Sequence, residues 1–472
     1  MASTVETVPE LKLNSRDIQG LADELERYHS IYSPLFARRE QRHWAKLYLQ
    51  GLLSDLPRKS IEPMALELIG PRTTHVRTLQ QFISIGAWED RPILQRHWSE
   101  VDSLLGEEDA ALIVDGSDFP KQGKASVGVK RQHCGELGKK ANCQAGVFLA
   151  YCSTKGYTLL DSRLYLPEDW ATDEEFARRR RRCGVPEAMS FKTKPELGAE
   201  MVEAVHASGR LRCRWVLGDA AFGHDTKFLE RIDSIGLWYL AEVQHSDRVW
   251  LNRPKVVAPN WEGRGKKPGP KQTRPHLAPG EAKAQTVTVV ADQLASHQWQ
   301  LLTIKEGSKG PQKAEFAALR VVAVRDHLPG PDVWLVLRRN IETGELKAYV
   351  SNAGADVPLE RLARLSGMRW PIETCFEDGK QLLGMGDYEV RSWRGWHHHM
   401  TMVILAHMFL VRMKLKLKKS GGLDIAASGN PLERNPAETR GRGEKIDRPV
   451  KIHAATKPRR VHLTPQAPHR CL

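Results

Sequence analysis

No two of the seven cysteines, at 134, 143, 152, 183, 213, 375 and 471, stand at C-x-x-C spacing. Such scattered thiols exclude the structural zinc sites built on closely spaced cysteine pairs. Long apolar runs are missing too. The most apolar stretch, Met400–Val411, is broken by His407 and is too short to cross a bilayer. The N-terminus, Met1-Ala-Ser-Thr-Val-Glu6, lacks the basic start and apolar segment of a secretory signal. An odd cysteine count without that signal predicts reduced thiols in a soluble, cytoplasmic protein with no membrane partner. A G-x-x-x-x-G-K-[ST] phosphate loop is also absent, so nucleotide hydrolysis is not expected.

Positive charge, by contrast, is plentiful. The 472 residues include 71 Lys and Arg against 57 Asp and Glu, a net of +14, with an isoelectric point near 9.4. A balance of this sign suits a polyanion, because neutralising phosphates releases condensed counterions. Charge alone is equally compatible with a basic protein that binds no nucleic acid. The excess is uneven: residues 1–105 carry 13 basic and 14 acidic side chains, residues 248–283 carry 9 and 2, and residues 419–472 carry 11 and 5.

The length fits two or three domains, and 41% hydrophobic residues suffice for a sizeable core. Residues 1–105 read as a helical N-terminal domain of about four elements, with apolar positions at helical spacing in Trp44, Leu47, Tyr48 and Leu52 and again in Met64, Leu68 and Ile69. Residues 106–247 switch to strands at Ala110–Val114, Gln144–Cys152 and Tyr157–Leu166, the last two joined at Gly156. Strands at Arg214–Gly218 and Trp238–Val243 then alternate with helices, an α/β layout with a mixed sheet. Thr172-x-x-Glu175 reads as a capping box. Residues 248–355 form a basic linker, Pro- and Gly-rich around Gly263–Lys271, and a β-rich insertion with strands at Gln285–Val290, Gln300–Ile304, Leu319–Ala323, Val333–Leu337 and Lys347–Ser351. Residues 356–418 return to helices, and residues 419–472 read as a disordered basic tail.

Three acids stand out within this layout. Asp115 directly follows the apolar run Ala111-Leu-Ile-Val, and Asp219 follows Trp215-Val-Leu-Gly, so each carboxylate is expected at the tip of a buried strand. Glu373 follows Arg369-Trp-Pro-Ile, with Pro371 in the first turn of a helix. Arg369, Glu373 and Lys380 are four and seven residues apart and share one helix face. Asp118 competes with Asp115 and Glu377 with Glu373. The position after the apolar run favours Asp115, and the register with Arg369 and Lys380 favours Glu373. Two strand-tip Asp and a helical Glu can hold two divalent metals for attack on a phosphodiester.

These motifs resemble those of bacterial insertion-sequence transposases of the DDE type. Asp219-Ala-Ala-Phe222 and Arg369-x3-Glu373-x6-Lys380 carry the resemblance, and Asp118-Phe-Pro-Lys-Gln-Gly123, Ser126-Val-Gly-Val129, Ala141-Asn-Cys-Gln144 and Tyr388-Glu-Val-Arg-Ser-Trp393 look like the branch founded on insertion sequence 701, across roughly residues 40–415. One position departs: the family's Tyr three residues before Arg369 is Ser366 here. The resemblance implies a ribonuclease H-like catalytic core interrupted by the β-rich insertion, and DNA-end binding by the helical N-terminal domain. It implies that Asp115, Asp219 and Glu373 bind two Mg²⁺ ions, with Mn²⁺ able to substitute. The partners would be double-stranded DNA, namely transposon terminal inverted repeats and target DNA, with a homodimer assembled on it at the bacterial nucleoid. Arg369 and Lys380 would contact phosphates, Trp370 would pack under the site or stack on a base, and Trp299 or Trp334 would stack on a flipped base. Lys121 and Lys124, beside the first Asp, are further phosphate candidates. A degenerate DNA-binding regulator and a metal-dependent nuclease without strand transfer are the alternative readings.

Two runs are ambiguous or inert. Arg178–Arg182 reads equally as a DNA track and as a solvated helix face. His397, His398 and His399 point in different directions on a helix and cannot jointly ligate one ion.

Overall fold

The computed structural model describes residues 15–258, 274–305 and 311–419; the Gly263–Lys271 run and the tail beyond residue 419 lie outside them. Five helices, one more than the periodicity suggested, open the chain: α1 (Ser15–Tyr32), α2 (Arg39–Leu53), α3 (Ile61–Ile69), α4 (Thr73–Ser84) and α5 (Asp90–Leu105). Tyr48, Leu52, Met64, Leu79, Ile83, Trp98 and Val101 bury their apolar faces. Those faces close on the last helix of the fold, so the helical region and the sheet share one hydrophobic cluster.

The sheet begins with β1 (Ala111–Pro120), β2 (Lys130–Cys134), β3 (Lys139–Ser153) and β4 (Gly156–Tyr165). Next come α6 (Glu168–Thr172), α7 (Glu174–Cys183), α8 (Lys194–Ala207), β5 (Trp215–Gly218), α9 (Ala220–Gly223), α10 (Thr226–Ser234) and β6 (Trp238–Val243). β1 lies antiparallel to β3 and parallel to β5, which lies parallel to β6, and β4 flanks β3. The buried strands explain the near-continuous apolar runs of β1 and β5. The expected capping box at Thr172 is replaced: Thr172 closes α6 by bonding to Glu168, and Asp173 caps α7 by accepting from the Glu175 N–H.

Beyond β6 come the short strands β7 (Arg248–Trp250), β8 (Val256–Val257), β9 (His276–Leu277) and β10 (Gln285–Thr286), then α11 (Val287–Gln293), β11 (Gln300–Lys305), β12 (Gln312–Arg325), β13 (Leu328–Arg339) and β14 (Leu346–Ser351). The strand expected at Gln285–Val290 is mostly helix α11, because the Thr286 hydroxyl accepts from the Val289 N–H and Val287, Val290 and Ala291 turn inward together. The β-rich insertion is part of the main sheet. β14 pairs antiparallel with β6, giving a 12-stranded sheet whose main path runs β10-β7-β12-β13-β14-β6-β5-β1-β3-β2, with β11 on β12 and β4 on β3. The described residues close with α12 (Leu359–Gly367), α13 (Pro371–Leu382) and α14 (Trp393–Lys419). Among the described residues no helix is long and apolar enough to cross a membrane, and no disulfide forms.

One ammonium joins the N-terminal helices to α13. Lys59 is 6% exposed, and its Nζ donates to the carbonyls of Leu52, at the end of α2, and Leu382, at the end of α13. A cation at two helix C-termini satisfies orphan carbonyls and faces the negative ends of both dipoles. Its backbone N–H donates to Asp387 at 2.8 Å, and burial lowers its pKa to about 8.

Candidate active site

β1 does not stop at Asp115. It runs on to Pro120 because β3 pairs it residue by residue, whereas the parallel ladder with β5 ends at Val114 and Gly218. The two Asp residues therefore follow the last rung together, Asp115 on a continuing strand and Asp219 where β5 turns into α9. A Cβ on Gly198 of α8 would meet the Val114 side chain at 2.7 Å. Val114 thus faces α8, and strand alternation turns Asp115 to the opposite face, toward α13.

Arg369 meets it there. Its guanidinium donates to Asp115 Oδ2 at 2.9 Å and to Glu373 Oε1 at 3.0 Å, clasping a strand residue and a helix residue in one fork. Side-chain exposures of 23% for Arg369, 14% for Asp115 and 33% for Glu373 leave the cluster partly buried, within reach of solvent. Burial pushes the Asp115 carboxyl up to about 7, and Asp219 and Glu373 add to the rise, while Arg369 and the Gly116 N–H pull it down. The three acids thus lie within electrostatic reach of one another.

Asp219 is held differently. Its Oδ1 accepts from the N–H groups of Ala221 and Phe222 and caps α9, which fixes the carboxylate's orientation. The turn is tight enough that a Cβ on Gly223 would lie 1.9 Å from the Glu242 carbonyl oxygen of β6, so this position accepts only glycine. Glu242 acts on Arg369 as a further negative charge. Nothing in its own sequence context marks it; the pairing of β6 beside β5 brings it in. Lys194, at the start of α8, was likewise not singled out. Its Nζ would lie 3.8 Å from a Cβ on Gly116, and it makes no ion pair among the described residues.

The two competing acids are placed elsewhere or apart. Asp118 Oδ2 accepts from the Gly135 N–H at 2.7 Å, so that carboxylate is engaged by the turn after β2. Glu377 is half-buried one turn beyond Glu373 and has no partner among the described residues.

The remaining candidates scatter. Lys380 pairs with Glu136 and donates to the Asp118 carbonyl at 3.3 Å. Lys121 donates to the Tyr388 carbonyl at 3.2 Å with its ammonium 3.4 Å from that ring's centroid, and burial lowers its pKa to about 8. Lys124 is exposed on the loop after β1. Trp370 is half-buried, and its indole N–H is buried without a partner. Trp299 is half-buried beneath the Arg339 guanidinium at 3.9 Å, and Trp334 donates to the Gly354 carbonyl, so both rings are engaged within the insertion. Ser366 is buried and bonds back to the Ala363 carbonyl at 2.7 Å. His398 sits between the carbonyls of Ile83 and Trp88 and His399 against Tyr48, so these two neighbours serve packing on different sides of α14.

An all-carboxylate donor set suits a hard divalent cation. Among the described residues, however, no three His, Cys, Asp or Glu side chains are drawn together tightly enough to hold an ion. The Arg369 guanidinium supplies the positive charge between Asp115 and Glu373 instead. The donors fit such an ion in their chemistry, and Arg369 stands between two of them.

Comparison with known proteins bears on this arrangement. A sequence profile of the DDE superfamily endonucleases matches residues 32–311, a span that includes Asp115 and Asp219 and ends before Glu373. A probable transposase for insertion sequence element IS701 from Microchaete diplosiphon is 21% identical over 369 residues, covering 78% of this chain and 81% of that protein. The NurA nuclease from Sulfolobus solfataricus aligns over 70% of this chain and 92% of its own at 10% identity, with a TM-score of 0.27, too weak a likeness to indicate a shared fold.

Proposed function

The chain belongs to the DDE superfamily endonucleases, and from that premise we propose that it is a transposase that cuts DNA at transposon ends and joins the 3′ ends to target DNA. The observation that carries this reading is the meeting of Asp115, Asp219, Glu373 and Arg369 where the parallel pairing of β1 and β5 stops. The strand order β4-β3-β1-β5-β6, with β1, β5 and β6 parallel, supports a ribonuclease H-like core. The relative from Microchaete diplosiphon supports transposition over simple hydrolysis.

Asp115, Asp219 and Glu373 would hold two Mg²⁺ ions, or Mn²⁺, which when bound activate the attacking hydroxyl and stabilise the leaving oxygen. The chain's own groups prepare that chemistry. The α9 cap holds Asp219 with Oδ1 engaged and leaves Oδ2 for a ligand. Arg369, in the turn just before α13, would have its fork free for a backbone phosphate beside Glu373 once released from the two carboxylates. Lys380 fixes the far end of α13 against β1 and so keeps Glu373 in register with Asp115. Joining two ends to one target favours a dimer on DNA, and the helices before residue 105 are the candidate end-binding unit.

The test is a strand-transfer assay on duplexes carrying the inverted repeats that flank the gene. Mg²⁺-dependent nicking at the repeat boundary and a joined product are expected. Nicking without joining would make the protein a nuclease, and DNA binding without nicking would make it a regulator.

A further inference from the structure

Lys194 apart, the cations free to meet a ligand stand away from the acids. Arg369, Lys380 and Lys121 are each engaged by the protein. The antiparallel ribbon made by β2 and the start of β3 offers others. Its registers place His133 opposite Lys140 and Arg131 opposite Asn142, so Arg131, His133 and Lys140 lie on one face of the ribbon. All three are exposed, and Arg131 and Lys140 make no ion pair among the described residues. The ribbon's single acid, Glu136, is neutralised by Lys380.

This face continues into a second basic element. Asn142 donates to the carbonyls of Lys121 and Gly123, holding the loop that exposes Lys124. The same loop supports α7: Arg179 donates to the Lys124 carbonyl and Cys183 to that of Ala125. Arg181 and Arg182, exposed in the last turn of α7, extend the positive surface beyond the loop. The ribbon is also tied to the acid cluster, because Asp118 accepts from Gly135 and Lys380 of α13 grips Glu136. Asp118 stands three residues past Asp115, about 10 Å along the strand.

We infer that the Lys130–Lys140 ribbon, with Lys124 and the end of α7, is a track for the phosphate backbone of duplex DNA flanking the bond to be cut. The inference rests on the transposase reading above and names a surface of that site. Arg131 and Lys140 are diagonal neighbours on that face, roughly 7–8 Å apart, so the ribbon presents two cations side by side to a strand of phosphates. Mutual repulsion among unpaired cations favours a polyanion over a neutral or compact partner.

The test compares the full chain with the Lys124→Gln/Arg131→Gln/Lys140→Gln variant, binding a 40-base-pair duplex by fluorescence anisotropy over a range of salt. Because the three side chains are exposed, unchanged melting of the variant is the check on folding. Loss of three phosphate contacts lowers the slope of log K against log salt by about 2.7. At 0.1 M salt, taken against a 1 M reference, that corresponds to a loss of affinity of roughly 500-fold. A variant that keeps the parent slope and affinity overturns the inference while leaving the transposase reading intact. A parent that does not bind duplex at all overturns that reading itself. Unchanged duplex binding with weakened binding of polyglutamate reassigns the surface to an acidic protein. Should the triple variant fold poorly, Lys124→Gln/Lys140→Gln is read by the same criteria, with an expected slope change of about 1.8.

Discussion

Replacing Arg369 by glutamine removes the one cation between Asp115 and Glu373. Breaking a fully buried pair by deleting one partner costs about 3–5 kcal/mol. The three side chains are 14% to 33% exposed, so water recovers part of that, and a loss of roughly 2–3 kcal/mol is expected in the metal-free protein at pH 8. Because the denaturant dependence of a 472-residue chain exceeds the roughly 1–3 kcal/mol per molar urea of small proteins, the midpoint moves down by less than about 1 M. A divalent ion should reverse the deficit. An ion at 100 times its dissociation constant stabilises the folded chain by about 2.7 kcal/mol, and in the variant it no longer competes with a guanidinium for the same oxygens. Urea titrations of parent and Arg369→Gln, each in EDTA and in excess Mg²⁺ or Mn²⁺, measure both effects. The variant should be the less stable protein in EDTA and should gain more from the ion. Equal stability in EDTA, together with equal gains from metal, would refute the idea that Arg369 and the metals occupy the same electrostatic position.

Three further outcomes follow from other parts of the structure. Asp219→Asn keeps an N-cap acceptor for α9, since Asn caps as well as Asp, but loses a charged ligand; melting and duplex affinity should stay near parent values while nicking falls more than about 100-fold, beyond the cost of losing an outer-sphere partner. Full nicking by this variant would remove Asp219 from the site. His97, His398 and His407 are lowered by burial to about 4 and His399 to about 3. Each is neutral when folded, so the unfolded chain takes up more protons as pH falls from 6.5 toward 4, and stability drops by up to about 1.4 kcal/mol per pH unit for each histidine; Asp115, raised to about 7, acts in the opposite sense as one group against four. Urea midpoints at pH 7.5, 6 and 5 should descend, and a flat series would show the histidines to be accessible to protons. Lys59→Met leaves the Leu52 and Leu382 carbonyls buried without a donor, at roughly 1–3 kcal/mol each, and should lower the melting temperature; a variant as stable as the parent would mean water replaces the ammonium.

Much of the site was visible in sequence because its local signals were strong. The apolar runs before Asp115 and Asp219 form β1 and β5, and Pro371 opens the helix bearing Glu373. What could not be read depends on partners far along the chain. Arg369, read onto the helix face of Glu373, lies in the turn before α13, and its bond to Asp115 joins positions 254 residues apart. Lys121 and Lys380 read as free cations because nothing in the sequence ties them to Tyr388 and Glu136, which engage them. β2, Lys130-Arg-Gln-His-Cys134, is too polar to alternate and was passed over. β12 and β13 were read only at their apolar centres. Their hairpin turns at Asp326 and His327, with φ of 46° and 65°, where the Asn-Gly or Asp-Gly signal of such turns is absent. Gln285–Val290 is rich in valine and threonine, and the cap at Thr286 overrode that β preference.

The pairing of β14 with β6 gives the insertion a mechanical meaning. Three rungs, Ala348 with Val243, Tyr349 with Glu242 and Val350 with Ala241, make the long β12–β13 hairpin a lever whose fulcrum is the strand beside β5. A load on the hairpin reaches the strand ends bearing Asp219 and Glu242 as twist and shear within one sheet. A hinged closure of the hairpin against β5 would have to break that ladder.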